Sequence, residues 1–438
     1  MLDNLFLVAL LGFYIAWNLG ANDVANSMGT SVGSKAVTLK QALIIAGILE
    51  FSGALLFGHQ VSSRLATKIA NPLLFADAPY ILATGMVAVL LACGLWLQIA
   101  TSQGLPVSSS HAVVGAIAGF SWVAVGVNAI EWESIGEITL GWILTPVISG
   151  LIAALFYTQV KNWILSQPQP LVHLNEWIPW LSVFMLAVFG VIVFPSLTPG
   201  ISTFVAENTG IKIPEHDFPL LFGGVGAIGL TFYNWRGLEK TFTEHTIAVQ
   251  NSQNLEENVV EKLVEKLVEK IFSRFQILSA CFVAFAHGAN DVGNAIAPVV
   301  AINYIKQTGE VPMGEVNIPL WIFIIGGLGI ITGLAIWGKK VIATIGESII
   351  TLEPSSGFCA ELATATTVLL ASRLGLPVST SHALVGGVVG VGFIKNPQSI
   401  QLKTLKNIAL AWIITIPVSA ALSVVIFSVL RGWGIGKF

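Results

Sequence analysis

Charged residues are scarce in this chain of 438 residues. Asp, Glu, Lys and Arg make up 10% of the sequence, apolar residues make up 54%, and the mean hydropathy is +0.80. Soluble domains average about 25% charged residues, so this composition excludes an ordinary soluble domain. The net charge of −3 is too small to indicate a polyanionic partner such as nucleic acid. The composition predicts an all-α polytopic membrane protein.

Cysteine is also rare. Cys93, Cys281 and Cys359 all lie in apolar runs, and none belongs to a CxxC pair. Such cysteines are typical of small buried hydrophobic residues rather than of disulfides or metal ligands. No cleavable signal peptide is expected, because the first apolar run is longer than a signal core and lacks a basic start.

Runs of about 20 apolar residues predict about twelve transmembrane helices. The spans are 5–26, 37–58, 80–101, 107–128, 138–160, 178–196, 219–235, 273–297, 319–338, 355–373, 377–394 and 406–431. The fourth and the eleventh follow a proline and begin with hydroxyl residues, which indicates broken or re-entrant helices.

Two motifs occur twice in the chain. Residues 20–26 read GANDVAN and residues 288–294 read GANDVGN, with six of seven positions identical. Residues 104–112 read GLPVSSSHA and residues 375–383 read GLPVSTSHA. Because seven spans precede the second GAND copy, the two halves would run in opposite directions, as in transporters with inverted repeats. We expect both motif pairs to converge near the middle of the membrane.

This pattern divides the chain into four parts. Residues 1–160 and 273–438 are the two inverted repeats, 161–235 hold two intervening membrane helices, and 236–272 are an amphipathic linker. With both termini outside and the linker cytoplasmic, 14 of the 21 basic residues lie inside, six of them in the linker region. The linker is interpreted as a surface connection, with a regulatory or dimerising helix as the alternative.

The GAND motifs predict a cation site. Acids inside a membrane are usually functional, and carboxylate and amide oxygens suit a hard cation such as Na⁺. We expect Gly20 and Gly288 to help break their helices, so that backbone carbonyls add ligands. The alternative is that the polar residues only cap broken helices. The candidate ligands are Asn22, Asp23, Asn26, Asn290, Asp291 and Asn294.

The hydroxyl motifs predict an anion site. Pro106 and Pro377 suit the start of a helix, and free N–H groups with hydroxyls at a helix start bind oxyanions. The candidate hydroxyls are Ser109, Ser110, Thr380 and Ser381. Because no Arg or Lys adjoins either motif, the anion would need a cation beside it. Clusters of hydroxyls that only bond neighbouring helices are the alternative.

Four further residues are candidates for coupling. His111 and His382 follow the hydroxyls and are either proton carriers or packed side chains that orient a neighbour. Glu50 and Glu361 lie inside predicted spans and have no acidic counterpart in the other half. Each is either a protonation site or a glutamate hydrogen-bonded between helices.

The paired GANDVxN and PVSxSHAxVG segments resemble the PiT family of inorganic phosphate transporters, from about residue 12 to 130 and from 275 to 430. The resemblance implies a transporter with inverted repeats, often a homodimer, that carries phosphate with Na⁺ or H⁺. It places Asp23, Asn26, Asp291 and Asn294 at the cation and substrate site and the four candidate hydroxyls on the oxyanion. Some members of the wider family move sulfate, so a sulfate permease stays an alternative.

We expect Na⁺ rather than H⁺, because neutral amides bind Na⁺ but do not accept a proton near neutral pH. No cofactor is expected. A membrane aspartyl protease is the least favoured alternative, because two equivalent Asp–Asn clusters give no separate acid and base roles. An intramembrane serine protease also fits poorly, because adjacent Ser110 and His111 point about 100° apart on a helix and cannot pair with each other. A passive anion channel would be blocked by the paired carboxylates unless cations bind too.

Overall fold

The computed structural model describes residues 4–209, 217–250, 257–339, 341–342 and 349–434. These ranges are helical almost throughout and contain no strand, only an isolated bridge between Ala70 and Ile130. The helices are α1 (Leu5–Gly33), α2 (Leu39–Phe57), α3 (His59–Thr67), α4 (Pro79–Ser102), α5 (Ser109–Val125), α6 (Trp132–Val160), α7 (Pro170–Thr209), α8 (Asp217–Gln250), α9 (Glu257–Thr308), α10 (Leu320–Trp337), α11 (Pro354–Arg373), α12 (Thr380–Lys395) and α13 (Leu402–Gly432).

The all-α membrane architecture predicted from the sequence is confirmed. Each of the twelve predicted spans coincides with one helix, and among the thirteen helices named above the short polar helix α3 alone was not expected. In the described ranges, seven helices are long and apolar enough to cross a membrane: α1, α2, α4, α6, α9, α10 and α13. The apolar helices α5 and α12 are shorter, as expected for the two re-entrant or broken spans.

Helices from the first half of the chain pack against helices from the second half. Helix α1 packs along α10 and α9 packs along α2, while α5 packs along α13 and α12 along α6. Gly20 of α1 faces the backbone of Ile330, and the equivalent Gly288 of α9 faces the backbone of Glu50. The same type of glycine contact therefore occurs once in each half of the chain.

The expectation that Gly20 and Gly288 break their helices is wrong. Helix α1 continues through the first GAND motif, and α9 continues through the second. A Cβ atom at Gly20 would overlap the carbonyl oxygen of Ile330, and one at Gly288 would overlap that of Glu50. The glycines therefore allow two helices to approach closely, and no unwound carbonyl is available there as a cation ligand.

The breaks occur at the hydroxyl motifs instead. Helix α4 ends at Ser102 and α5 begins at Ser109, while α11 ends at Arg373 and α12 begins at Thr380. Gly104 and Gly375 turn the chain with φ of 69° and 66°, values that favour glycine. Pro106 and Pro377 lie in the connecting turns and not at the first helical position, so helix initiation comes from the serines that follow.

The charged repeat of residues 261–270 is the beginning of α9. This helix starts at Glu257 and continues without a break into the second GAND motif. Leu267 and Val268 are buried, whereas Lys262 and Lys266 are exposed. The amphipathic part of the predicted linker is therefore rigidly joined to the membrane helix, and residues 251–256 lie outside the described ranges.

Candidate functional site

Asp23 and Asp291 meet in one buried cluster, as the duplicated motif predicted. One ligand atom from each carboxylate and one nitrogen of His287 all lie within 4.8 Å of one another. Each aspartate is only 1% exposed. At 4.8 Å two carboxylate charges would repel by about 3–4 kcal/mol at an effective dielectric constant of about 20. Such a pair needs a positive charge or a proton between its members.

Two asparagines brace these carboxylates from the next helical turn. Asn26 Nδ2 donates to Asp23 Oδ1 at 3.1 Å, and Asn294 Nδ2 donates to Asp291 Oδ1 at 3.1 Å. Asn294 Nδ2 also lies 3.2 Å from Ser109 Oγ, which belongs to the other half of the chain. This last contact joins the second carboxylate to the first hydroxyl motif.

Asn22 and Asn290 face the turns that interrupt the hydroxyl segments. Asn22 Nδ2 donates to Thr101 Oγ1 and to Leu105 O, both at 3.0 Å, and its Oδ1 accepts from Val107 N at 3.2 Å. Asn290 makes the two equivalent donor contacts, to Ser372 Oγ at 3.0 Å and Leu376 O at 3.1 Å. These side chains fix the turns, while their part in cation binding stays a prediction.

Several buried oxygens of the cluster lack a hydrogen-bond donor within the part of the chain that the structure describes. They are Asp23 Oδ2, Asn26 Oδ1, Glu50 Oε2, Asn290 Oδ1 and Asn294 Oδ1. A buried acceptor without a donor costs about 1–3 kcal/mol, so a set of them is unfavourable in an apolar interior. Carboxylate and amide oxygens with unused lone pairs are the ligands that hard cations take.

The hydroxyl motifs form two equivalent helix starts. Ser108 Oγ accepts from His111 N at 3.3 Å, and Ser379 Oγ accepts from His382 N at 3.4 Å. These caps use the third amide of each helix. In the described contacts the amides of Ser109, Ser110, Thr380 and Ser381 have no acceptor. Free amides at a helix start attract anions.

Thr380 links the second helix start to the carboxylates. Thr380 Oγ1 donates to Asp291 Oδ2 at 2.7 Å. Ser110 Oγ lies 3.1 Å from Ser108 Oγ, and Ser381 Oγ lies 2.8 Å from Ser379 Oγ. All four candidate hydroxyl residues are at most 4% exposed, so both helix starts open onto the buried cluster.

His287 is the residue that sequence reasoning missed. Its Nδ1 lies 3.1 Å from Glu50 Oε1 and its Nε2 lies 3.0 Å from Asp291 Oδ2, with every partner buried. Ser27 Oγ donates to Glu50 Oε1 at 2.8 Å. The available signal was a histidine directly before the second GAND motif, where the first copy has Leu19.

Comparison with known proteins shows the family of the chain. A family model described as the phosphate transporter family matches residues 19–423. The chain belongs to the phosphate transporter family. It is 38% identical to a putative phosphate permease of Haemophilus influenzae, over 97% of this chain and 96% of the relative. It is 39% identical to the chloroplastic inorganic phosphate transporter 2-1 of Arabidopsis thaliana, over 95% of this chain and 70% of the relative.

A solved structure has the same fold. The chain described as the sodium-dependent phosphate transporter superposes with a TM-score of 0.80 and 37% identity, covering 98% of each chain. The resemblance to phosphate transporters inferred from the motifs is therefore confirmed, and the chain is a multi-pass membrane protein of that family.

Glu361 lies in a second buried polar cluster of this family member. Its carboxylate accepts from four side chains of α1 and α9 and is fully buried. The donors are Thr30 Oγ1 at 2.7 Å, Ser31 Oγ at 2.6 Å, Gln276 Nε2 at 3.1 Å and Ser279 Oγ at 2.6 Å. Glu361 thus joins α11 to the two helices that carry the GAND motifs, and it does not contact the aspartate pair directly.

His111 and His382 belong to a ring cluster behind the hydroxyls. Their ring centroids lie 4.8 Å apart, and each ring packs against a tryptophan. Ser110 Oγ contacts Ser108 and not the imidazole of His111, so the geometry gives no serine–histidine pair.

Two polar cavities lie at opposite ends of α11. One of about 670 Å³ is lined by Arg64, Glu133, Glu137 and Arg373, where α11 ends. The other, of about 620 Å³, is lined by lysines of α9 and by Pro354, where α11 begins. The aspartate cluster is closed to both, since its side chains are at most 1% exposed.

Proposed function

We propose that this protein is a secondary active transporter that moves inorganic phosphate together with Na⁺ by alternating access. The observation that carries the proposal is the enclosed pair of carboxylates, which lies among buried oxygens without a hydrogen-bond donor. Two helix starts with free amides and hydroxyls adjoin this pair. Acceptor-rich and donor-rich groups in one closed space suit a cation and an anion bound together.

The cation would bind the acceptor groups. Asp23 and Asp291 supply the negative charge, and Asn26 and Asn294 supply neutral oxygens from the next turn. In the described ranges neither aspartate forms an ion pair with a lysine or an arginine. Na⁺ would therefore relieve the repulsion between the carboxylates and offset the charge of the anion.

Phosphate would bind the donor groups. Ser109, Ser110, Thr380 and Ser381 each offer a backbone amide, and their hydroxyls can rotate toward an oxyanion. The positive ends of α5 and α12 would stabilise its negative charge. Because no lysine or arginine pairs with the aspartates in the described ranges, anion binding would depend on the cation, and that dependence would be the coupling.

Selection of phosphate over sulfate would come from Asp23 or Asp291. Phosphate carries at least one proton near pH 7 and can donate a hydrogen bond to a carboxylate, whereas sulfate cannot. A site built for such a donor can reject the analogue without it by up to about 10⁴-fold. If both carboxylates contact only the cation, this selection is lost.

Proton coupling is the second candidate, favoured by the chain Glu50–His287–Asp291. Its nitrogen–oxygen distances of 3.1 and 3.0 Å put the imidazole beside two buried carboxylates, where a small change in ring orientation would allow proton transfer between them. An enzyme is less well supported, because the matched family, relatives and solved structure are described as transporters or permeases.

Uptake of labelled phosphate into proteoliposomes separates these functions. We expect uptake to require an inward Na⁺ gradient and to survive a protonophore. Asp291→Asn should abolish it, while the surface control Glu176→Gln should leave it unchanged. Uptake that ignores Na⁺ but collapses with the protonophore would refute the sodium-coupled mechanism.

Competition tests the anion. Sulfate in hundredfold excess should leave phosphate uptake almost unchanged. Equal inhibition by sulfate and unlabelled phosphate would make sulfate a credible substrate and would mean that the carboxylates bind only the cation.

We further propose that residues 1–160 and 273–438 are inverted repeats with 161–235 between them, and that both termini lie outside with the linker cytoplasmic. The exchanged helix packing between the halves supports the repeat. A homodimer remains a prediction, which mass measurement in detergent would test.

A further inference from the structure

Four aromatic rings meet where the two hydroxyl-bearing helices adjoin. The imidazole of His111 on α5 lies 3.9 Å, between ring centroids, from Trp142 of α6. The imidazole of His382 on α12 lies 3.7 Å from Trp412 of α13. The two imidazoles stand edge to face with centroids 4.8 Å apart. Each half of the chain therefore contributes one histidine and one tryptophan to the cluster.

Backbone carbonyls fix the tautomer of both histidines. His111 Nδ1 lies 3.1 Å from Trp412 O, and His382 Nδ1 lies 3.0 Å from Trp142 O. A carbonyl only accepts, so each Nδ1 carries a hydrogen and donates it. Both residues are 5% exposed. Each imidazole is thus oriented by one bond and held by two ring contacts.

The contacts of each histidine connect two packed helix pairs. Because α5 packs along α13 and α12 along α6, the bond from His111 to Trp412 O lies within the first pair. The ring contacts of His111 with Trp142 and with His382 cross to the second pair. The histidines therefore hold the two helix pairs together. His111 directly follows Ser110 in the sequence, and His382 directly follows Ser381.

We propose that His111 and His382 are positioning residues for the transported anion. Successive residues of a helix point about 100° apart, so the imidazoles interlock on one side while the hydroxyls face the buried cluster. The interlocked rings set the separation of the two helix starts, and this separation determines how tightly an oxyanion fits between them. This inference rests on the proposed function and adds to it the part of the chain that sets phosphate affinity.

The test is a double-mutant cycle on phosphate uptake with His111→Phe and His382→Phe. Phenylalanine retains a ring but cannot donate to the tryptophan carbonyl, which is left buried without a donor. We expect each variant to raise the half-saturating phosphate concentration about tenfold, as loss of one buried hydrogen bond would, with the maximal rate within about twofold. Because the rings act as a pair, the double variant should also show about tenfold.

Further measurements make the test decisive. His173→Phe, at a partly exposed histidine paired with Glu176, is the matched control and should leave uptake unchanged. If a phenylalanine variant does not fold, His111→Leu and His382→Leu give the same cycle, since leucine also lacks the donor to the tryptophan carbonyl. The dependence of uptake on pH should keep its wild-type shape.

Three results would overturn this inference without affecting the proposed function. The single variants could keep the wild-type half-saturating phosphate concentration, or the double variant could raise it by the product of the two single effects. The dependence of uptake on pH could also become flatter in the variants. The last would mean that the histidines carry protons. A wild-type protein that takes up no phosphate would instead overturn the proposed function, and this inference with it.

Discussion

The contacts of His287 make the two aspartates chemically unequal. Asp291 has an imidazole nitrogen at 3.0 Å, whereas the first GAND copy has Leu19 at the equivalent position. Glu50, on the other side of the ring, has Ile330 as its counterpart in the repeated packing. Glu50, His287 and Asp291 thus form a row of ionisable groups that has no equivalent around Asp23.

Removing the imidazole should destabilise the fold. His287→Leu leaves Glu50 and Asp291 buried without the group between them, and breaking a buried pair in this way costs about 3–5 kcal/mol. We expect a clear fall in the thermal unfolding midpoint in detergent. The double variant His287→Leu/Glu50→Gln should recover part of that loss. A double variant no more stable than His287→Leu would show that Glu50 does not depend on the imidazole.

The two bracing asparagines should also differ in their effect. Within the described residues the Asn26 amide donates to its own aspartate alone, whereas Asn294 donates to Asp291 and, at 3.2 Å, to Ser109 of the other half. We expect Asn294→Ala to weaken phosphate affinity about tenfold more than Asn26→Ala, because one more hydrogen bond at the site is lost. Half-saturating phosphate concentrations of the two variants check this. Equal values would mean that the contact with Ser109 is unimportant.

Helices were the part of the fold that the sequence predicted well. An apolar run long enough to cross the hydrocarbon layer must satisfy its own backbone hydrogen bonds, so it is helical wherever it lies. A proline followed by hydroxyls also located the two interruptions at the hydroxyl motifs, whereas the breaks expected at Gly20 and Gly288 do not occur. Helix α3 escaped notice because nine mixed residues have no such constraint.

Contacts between helices could not be predicted in this way. Gly20 and Gly288 look like helix breakers in a sequence, and only the neighbouring backbones of Ile330 and Glu50 show why glycine is required. The role of His287 likewise depends on Glu50 from a distant helix. The residue types of the site were visible in the duplicated motifs, while the partners that orient them were not.

Substitution of these glycines tests the close approach of the helices. Gly20→Ala or Gly288→Ala would place a methyl group against a backbone carbonyl that cannot rotate away. Overpacking of this kind costs about 1–3 kcal/mol, so we expect lower unfolding midpoints and lower yield. Gly136→Ala in α6 is the matched control, because nothing lies within 4 Å of its added Cβ. The control should be neutral or slightly stabilising, and a similar loss there would contradict the packing argument.

At the scale of the whole molecule, two polar cavities lie at opposite ends of α11. The cavity of about 670 Å³ adjoins the end of α11, and the cavity of about 620 Å³ adjoins its beginning. A helix of 20 residues is about 30 Å long, which equals the hydrocarbon thickness of a membrane. The two cavities should therefore open to opposite sides, as alternating access requires.

Sidedness can be measured with single cysteines at the two cavities. Glu133 lines the first cavity and Lys266 the second, and both side chains are exposed. With the linker in the cytoplasm, a membrane-impermeant maleimide added to intact cells should label Glu133→Cys, and it should label Lys266→Cys only after permeabilisation. The unmodified protein is the control, since its native Cys93 and Cys359 are buried and Cys281 is partly buried. The reverse pattern would mean that the orientation inferred from basic residues is inverted. Labelling of both cysteines from one side would contradict the separation of the cavities by the membrane, and with it the alternating-access mechanism for this site.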